Sequence, residues 1–345
     1  QYGCRSVFQD RKTFYIVGLE VGLFKDEALK MQVDVFKDLR SQIYMQRQNF
    51  PSTAGLEAAI SGNIGKVSSQ GIDASLDYQH YFNTDFWMTG RFNFTFADNK
   101  YLELDEKNYP DEYLKRKGYN INQQWGLVAE RLFVDEDEIL NSPKQDYESY
   151  MAGDIKYKDI NQDGVINDND RIPMGYPTVP QIQYGFGLSS GYKKFDLSFF
   201  FQGNARVSFF INPGVGGGSD GTEGIAPFVS RRNALSFIAD SYWSETNPDA
   251  HAFWPRLSTY PVRNNIQQST WWLRDGSFLR LKTLEAGYNF SPDLKKIGLD
   301  NARLYFSAEN LFVLSAFHLW DPEAGRNGLG YPLNRRFNVG LQLSF

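Results

Sequence analysis

Arg335–Phe345 reads R-R-F-N-V-G-L-Q-L-S-F. Phe337, Val339, Leu341, Leu343 and Phe345 fall on one face of an extended strand, and Asn338, Gly340, Gln342 and Ser344 on the other. The same period of two recurs upstream. Val17, Leu19, Val21 and Leu23 alternate with Gly18, Glu20 and Gly22, and Met31, Val33 and Val35 with Gln32 and Asp34. Ile72, Ala74, Leu76 and Tyr78 alternate with Asp73, Ser75, Asp77 and Gln79, and Phe92, Phe94 and Phe96 oppose Arg91, Asn93 and Thr95. Ile182, Tyr184, Phe186 and Leu188 oppose Gln183, Gly185, Gly187 and Ser189. Phe195, Leu197, Phe199 and Phe201 oppose Asp196, Ser198 and Gln202, and Phe200 breaks the rule. Such alternation predicts strands with one apolar and one polar face.

A soluble sandwich with a solvated face shows the same alternation, so the connections decide. Lys193-Lys194 is a tight turn, whereas residues 100–124, 134–180 and 211–276 are long insertions. Short turns alternating with long loops predict an all-β, antiparallel transmembrane β-barrel with long extracellular loops. Ser277–Phe290 and Ala302–Phe312 add two strands, with a polar turn or short helix over Ser291–Gly298. In the first of them Leu279 and Leu281 share one face, while Leu284, Ala286, Tyr288 and Phe290 follow the opposite phase; a bulge near Thr283 reconciles them. Trp125–Phe133 reads as a further strand, giving about ten. Within the insertions, Asp135–Leu140 and Arg231–Trp243 carry local helix signals, and Gly214–Gly221 reads as a flexible loop.

Composition agrees. Of 345 residues 16% are aromatic, including 28 Phe, 20 Tyr and 7 Trp, which suits a wall with aromatic girdles at two membrane interfaces. No apolar run reaches the roughly 18 residues of a transmembrane helix, and a barrel strand needs only every second residue apolar. The net charge of −5 and scattered Lys and Arg give no sign of nucleic-acid binding. The single cysteine, Cys4, excludes an internal disulfide. Q-Y-G-C-R-S-V-F at the start has neither an initiator Met nor a signal-peptide pattern, so the chain reads as a piece of a longer precursor.

Asp159–Asp170, D-I-N-Q-D-G-V-I-N-D-N-D, has the spacing of a calcium loop. Side-chain oxygens of Asp159, Asn161 and Asp163 stand at positions 1, 3 and 5, Gly164 at 6, the Val165 carbonyl at 7 and an acid, Asp170, at 12. Asp170 is shorter than the usual Glu, and Arg171-Ile172-Pro173 rules out a flanking helix, so this is no helix–loop–helix hand. The expected ligand is a structural Ca²⁺; the alternative is a metal-free turn in which Asp and Asn cap their own backbone.

Signs of an enzyme are missing. His80, His251 and His318 lack zinc-ligand spacing, there is no G-x-S-x-G, and pairs such as Glu103/Asp105 and Asp135/Asp137 read as solvated loop acids. Trp271, Trp272, Trp243 and Trp254 lie in or beside the long insertions, where flat amphipathic rings stack on sugars or pack peptide side chains; the alternative is that they form the core of the loops.

Several segments resemble one family. They are G-D-I-K-Y-K-D-I-N-Q-D-G-V-I-N-D-N-D-R (Gly153–Arg171), W-W-L-R-D-G-S-F-L-R-L-K-T-L-E-A-G-Y (Trp271–Tyr288), N-A-R-L-Y-F-S-A-E-N-L-F (Asn301–Phe312), L-W-D-P-E (Leu319–Glu323) and Tyr331–Phe345, together with Asn63–Val67 followed by Gly71. They resemble, in order, the C-terminal barrel half of SusC/RagA-type TonB-dependent outer-membrane transporters. The resemblance implies a plugged barrel of about 22 strands. It further implies import of oligosaccharides or peptides across the Gram-negative outer membrane, a SusD-like surface lipoprotein as lid, and energy from TonB–ExbB–ExbD acting through a plug absent from this sequence. About ten strands cannot close such a barrel, so the chain must pair with remaining strands of the same protein. Arg91, Asn93, Asp73 and Asp77 are then expected in the lumen, with Trp271, Trp272 and the Gly-rich loop at ligand or lid. The alternatives are a passive porin-like barrel and a soluble calcium-dependent glycan-binding or adhesion module.

Overall fold

The computed structural model describes residues 10–49, 55, 60–211, 235–258, 262–290, 299, 301–326, 328 and 330–344. Gly214–Gly221, Ser291–Gly298, Cys4 and Phe345 lie outside them.

Nine long strands form one antiparallel sheet in strict sequence order: β1 (Arg11–Leu23), β2 (Leu29–Gln46), β3 (Ser61–Tyr81), β4 (Phe86–Glu103), β5 (Ile182–Tyr192), β6 (Phe195–Ala205), β7 (Phe278–Phe290), β8 (Asn301–Ser315) and β9 (Arg336–Ser344). Because each strand pairs with its sequence neighbours, alternate connections fall at opposite ends. Connections 24–28, 82–85, 193–194 and 291–300 share one end; 47–60, 104–181, 206–277 and 316–335 share the other. The expected separation of short turns from long loops is therefore present.

The register aligns the alternating residues into rows. One apolar row runs Val21–Met31–Leu76–Phe92–Phe186–Phe201–Leu281–Phe312 across eight strands. The neighbouring row on the other face runs Glu20–Gln32–Ser75–Asn93–Gly185–Gln202–Arg280. Val17, Leu19, Leu197, Val339 and Leu341, all on the apolar face, are exposed. An apolar surface this continuous is covered by something other than water. Near the short-turn end that face carries an aromatic chain, Tyr78–His80–Phe82–Phe86–Tyr192, with successive ring centroids 6.3, 4.6, 4.8 and 6.4 Å apart, and Phe195–Tyr288–Phe290 at 4.9 and 5.2 Å. This is the pattern of an interfacial girdle.

Two irregularities of the sequence find physical causes. In β7 the register slips between Leu281 and Thr283 against both β6 and β8, leaving Lys282 as the bulge residue that restores the apolar phase. Phe200 occupies the polar face because β5 offers it two glycines. A Cβ at Gly185 would lie 2.7 Å from its ring, and one at Gly187 2.8 Å. Tyr305 covers Gly340 in the same way, an aromatic side chain replacing the missing one across the strand pair.

Trp125–Phe133 is the departure. It forms no wall strand; Gln124–Gly126 pairs with Ile172–Met174, and Ala129–Leu132 with Ile155–Tyr157, in small separate sheets. The insertions expected at 100–124 and 134–180 are thus one connection with its own tertiary structure. Leu127, Leu132 and Phe133 are wholly buried, which is why the segment reads like a strand in the sequence. Both expected helices appear, in short form. Glu136–Leu140 is capped by Asp135, which accepts from the Glu138 N–H at 2.8 Å, and Ser236–Ala239 lies within the second signal.

Candidate functional site

Described residues of three connections at one end of the sheet, 104–181, 206–277 and 316–335, share a single core, and the polar face of the sheet carries its own side-chain bonds. On that face Arg91 donates to Asp77 at 2.7 Å, Thr95 to Asp73 at 2.9 Å, and Gln32 to Asp34 at 2.9 Å. Asn93 lies on the same row as Ser75. Towards the short turns, Arg303 joins Asp196 and Glu285, the latter at 2.6 Å, while Asn289 donates to Asp196 at 3.2 Å. The four residues expected in the lumen therefore share the polar face. Arg91 with Asp77, and Arg303 with Asp196 and Glu285, pair cation with anion, while Asp73 and Asp34 accept from neutral donors.

The loop core is built from Leu127, Leu132, Ile155, Tyr157, Ile211, Ile238, Trp254 and Trp272 with their neighbours, drawn from connections 104–181 and 206–277; Phe317 adds connection 316–335. Several of its polar groups bond within and across the connections. Gln145 donates to the Ile155 carbonyl at 3.0 Å and to Asn264 Oδ1 at 2.7 Å, and accepts from the Tyr157 N–H at 2.6 Å. Asn265 accepts from the Ile155 N–H at 2.9 Å, and Asn264 Nδ2 donates to the Ile155 carbonyl at 2.8 Å. The edge of the Ile155–Tyr157 strand is thus finished by side chains, Gln145 from its own connection and Asn264 and Asn265 from another, instead of by a further strand. Asp154 is fully buried and accepts from the Met151 N–H at 2.9 Å, from Asn265 Nδ2 at 2.7 Å and from Arg256 Nη2 at 3.1 Å. Burial pushes its carboxyl above the ordinary range, against the pull of Arg256 and these donors. Glu138 behaves oppositely. Burial raises it, but Lys156 at 2.8 Å, the Val134 N–H at 3.0 Å and Arg131 at 2.6 Å outweigh burial and hold it below 4.5.

The four tryptophans divide. Trp272 and Trp254 are 0% and 1% exposed, their rings tilted at 39° with centroids 5.6 Å apart in the core, and Trp272 Nε1 donates to the Asn265 carbonyl at 2.8 Å. For these two, the expectation of ligand contact is corrected: a ring enclosed on both faces has none free to offer. Trp243 is 7% exposed and packs its six-membered ring on Gly153. It also lines a pocket of about 650 Å³ with Val134, Met151, Tyr242, Arg256 and Leu257. Trp271 is half-buried and donates to the Phe253 carbonyl at 3.0 Å. Spacing in the sequence does not separate Trp271 from Trp272; the short strand Leu273–Asp275 that follows fixes which ring turns inward.

In Asp159–Asp170 the side chains cap the loop's own backbone. Asp159 accepts from the Gln162 and Gly164 N–H groups at 2.7 and 2.9 Å, Asn161 from that of Asp163 at 3.1 Å, and Asp163 from that of Val165 at 2.8 Å. Gly164 has φ +84°, the left-handed turn its position requires. Asp170 is fully buried and accepts from Ile160 N–H and Asn167 N–H, both at 2.8 Å, closing the loop between its ends. Asp163 is exposed and Asp159 and Asn161 are half-buried, and every side-chain oxygen of the three, like those of Asp170, accepts a bond from within the loop. Among the described residues no group of three or more His, Cys, Asp or Glu converges on one point. The loop is held in shape by its own side chains, the arrangement of a self-capped turn.

No family model matches the chain. It is 27% identical over 356 residues to TonB-dependent receptor P3 of Formosa agariphila, covering 95% of this chain and 33% of that protein. It is 27% identical to TonB-dependent receptor P26 of the same organism, covering 86% and 31%, and 22% identical to TonB-dependent receptor SusC of Bacteroides thetaiotaomicron, covering 86% and 28%. The chain thus spans about a third of the length of these relatives. Among solved structures, the RagAB peptide transporter superposes with a TM-score of 0.68 over 97% of this chain and 35% of that one, at 21% identity. Its relatives by sequence are receptors, and the open meander with one apolar and one polar face superposes on a solved barrel wall. By these measures the chain is similar to the SusC-type TonB-dependent receptors, and its sheet has the fold of part of the RagAB transporter's wall.

Proposed function

We propose that this chain is part of the wall and extracellular rim of a barrel that imports oligosaccharides or peptides across the outer membrane in a TonB-dependent manner. The observation that carries this reading is the sheet itself. Its apolar face is exposed across nine strands, its opposite face is polar, and its long connections form one structured body at a single end. Among the described residues β1 and β9 each pair on one side only. Unpaired backbone groups cost several kcal/mol each in hydrocarbon, so both edges are completed by further strands of the same protein. A plug fills the lumen against the paired charges of the polar face, and TonB–ExbB–ExbD acts through that plug. A SusD-like lipoprotein closes over the loop body, where the Trp243 pocket and the half-exposed Trp271 are the surfaces offered to lid or cargo. In the same reading Ca²⁺ is a structural cofactor of the loop, held by Asp159, Asn161, Asp163 and the Val165 carbonyl.

Uptake of a labelled oligomer by cells carrying the whole receptor and its lipoprotein tests the proposal. Uptake that is lost when TonB is disabled supports it; uptake that persists identifies a passive pore.

A further inference from the structure

Across β5–β9 the apolar face is interrupted by a groove of about 500 Å³. Its floor is made by Ser190 and Ala286, which flank Leu197 in one register row, and its walls by Phe195, Tyr288, Leu304 and Phe306. The rows on either side carry bulky partners: Phe199 faces Leu284, and Phe195 faces Tyr288. Two small residues between such rows leave a trough. On a surface in contact with hydrocarbon, an empty trough forfeits dispersion contacts along its whole lining, and water does not fill it.

One end of the groove is also charged. At the short-turn end it is bounded by Tyr192 and Phe195, and between those two stand Lys193 and Lys194. The turn is anchored, with Lys193 N–H donating to the Asp85 carbonyl at 2.7 Å and Asn289 N–H to the Lys194 carbonyl at 2.8 Å. Lys193 Nζ lies 5.3 Å from the ring centroid of Tyr192, a lining residue of the groove, and Lys193 also borders a hollow on the polar face beside Asn289. Among the described residues neither lysine has a carboxylate within ion-pair distance; Asp196, their neighbour, is taken by Arg303. Asp85 in the adjoining turn leaves the two turns with a net positive charge.

We propose that this groove is a binding site for an anionic phospholipid, one acyl chain lying over Ala286 and the phosphate held by Lys193 and Lys194. The proposal rests on the barrel reading above, which places short turns at the periplasmic interface and so selects a phospholipid over the lipopolysaccharide of the opposite leaflet.

The test uses the whole receptor in detergent, reloaded with phosphatidylglycerol or phosphatidylethanolamine and examined by native mass spectrometry. Wild type is expected to retain phosphatidylglycerol about tenfold better than phosphatidylethanolamine. Ala286→Phe fills the trough and abolishes retention of both. The double change Lys193→Gln/Lys194→Gln, on the surface and harmless to folding, removes the preference between the two and leaves phosphatidylethanolamine untouched. Leu19→Phe, elsewhere on the same face, changes nothing. Retention indifferent to Ala286→Phe, a preference that survives the double Gln change, or a lipopolysaccharide adduct lost in Ala286→Phe overturns the proposal. Energised uptake by these variants stays at the wild-type level; loss of uptake in wild type itself counts against the barrel reading and not the lipid site.

Discussion

One guanidinium nitrogen of Arg280 bridges both carboxylate oxygens of Asp321, at 2.6 and 2.7 Å, with the arginine side chain only 3% exposed. Arg280 stands at the loop end of β7, and Asp321 belongs to the connection between β8 and β9. Glu323 lies 3.3 Å from the same guanidinium, and the Arg280 group also lies over the Phe278 ring at 5.5 Å. The connection 316–335 is thereby tied to the wall through its Asp321-Pro322-Glu323 turn.

Replacing Asp321 by Ala leaves a buried cation with only the more distant Glu323, a loss of about 3–5 kcal/mol. Hydrogen exchange in 316–326 is expected to rise sharply, while the paired change Arg280→Met/Asp321→Leu restores most of the protection. Equal exchange in wild type and Asp321→Ala excludes this anchoring role.

Gly340→Val drives a branched side chain into the Tyr305 ring, and overpacking of this kind costs about 1–3 kcal/mol. The temperature at which the whole receptor loses its compact, heat-modifiable form on gels should fall. Adding Tyr305→Ala to Gly340→Val is expected to recover part of the loss, because the clash and not the strand propensity sets the penalty.

Glu138 provides a pH signature. Its folded-state pKa lies below 4.5, so the unfolded loop binds the proton more tightly. The stabilisation is therefore fully present above about pH 4.5 and disappears as pH falls through the lowered folded value. The thermal midpoint of loop tryptophan fluorescence should fall on acidification, and Glu138→Gln should flatten that part of the profile. Asp154, raised by burial, acts with the opposite sign, adding stability as pH falls, and is separated from Glu138 by the Asp154→Asn variant.

The Asp159–Asp170 loop yields two distinguishable outcomes. Asp170→Ala strands two backbone N–H groups and is expected to destabilise the loop body by about 1–3 kcal/mol with or without Ca²⁺. Asp159→Ala/Asp163→Ala should abolish the rise in melting temperature that Ca²⁺ gives to wild type. A wild-type melting curve that is identical in calcium and chelator leaves the loop as a self-capped turn.

The wall was legible because its rule is simple: two faces in two solvents force a period of two, and even the Lys282 bulge left its mark as a change of phase. Phe200 looked like an error only because the glycines beneath it, Gly185 and Gly187, sit on another strand. The loop body was much less legible. Trp125–Phe133 has the apolar density of a wall strand, but its burial comes from the core it shares with Ile155, Ile211 and Trp272, residues beyond its own segment that no local period encodes. Asp170 matches a metal ligand by position, and its actual partners, the Ile160 and Asn167 N–H groups, follow from backbone geometry.

The bonds from Gln145, Asn264 and Asn265 have a mechanical consequence. Two connections that supply each other's missing strand partners cannot swing independently without exposing a row of unpaired amides. This sector of the loop body therefore moves as one unit, and its outline is set by bonds that join the two connections.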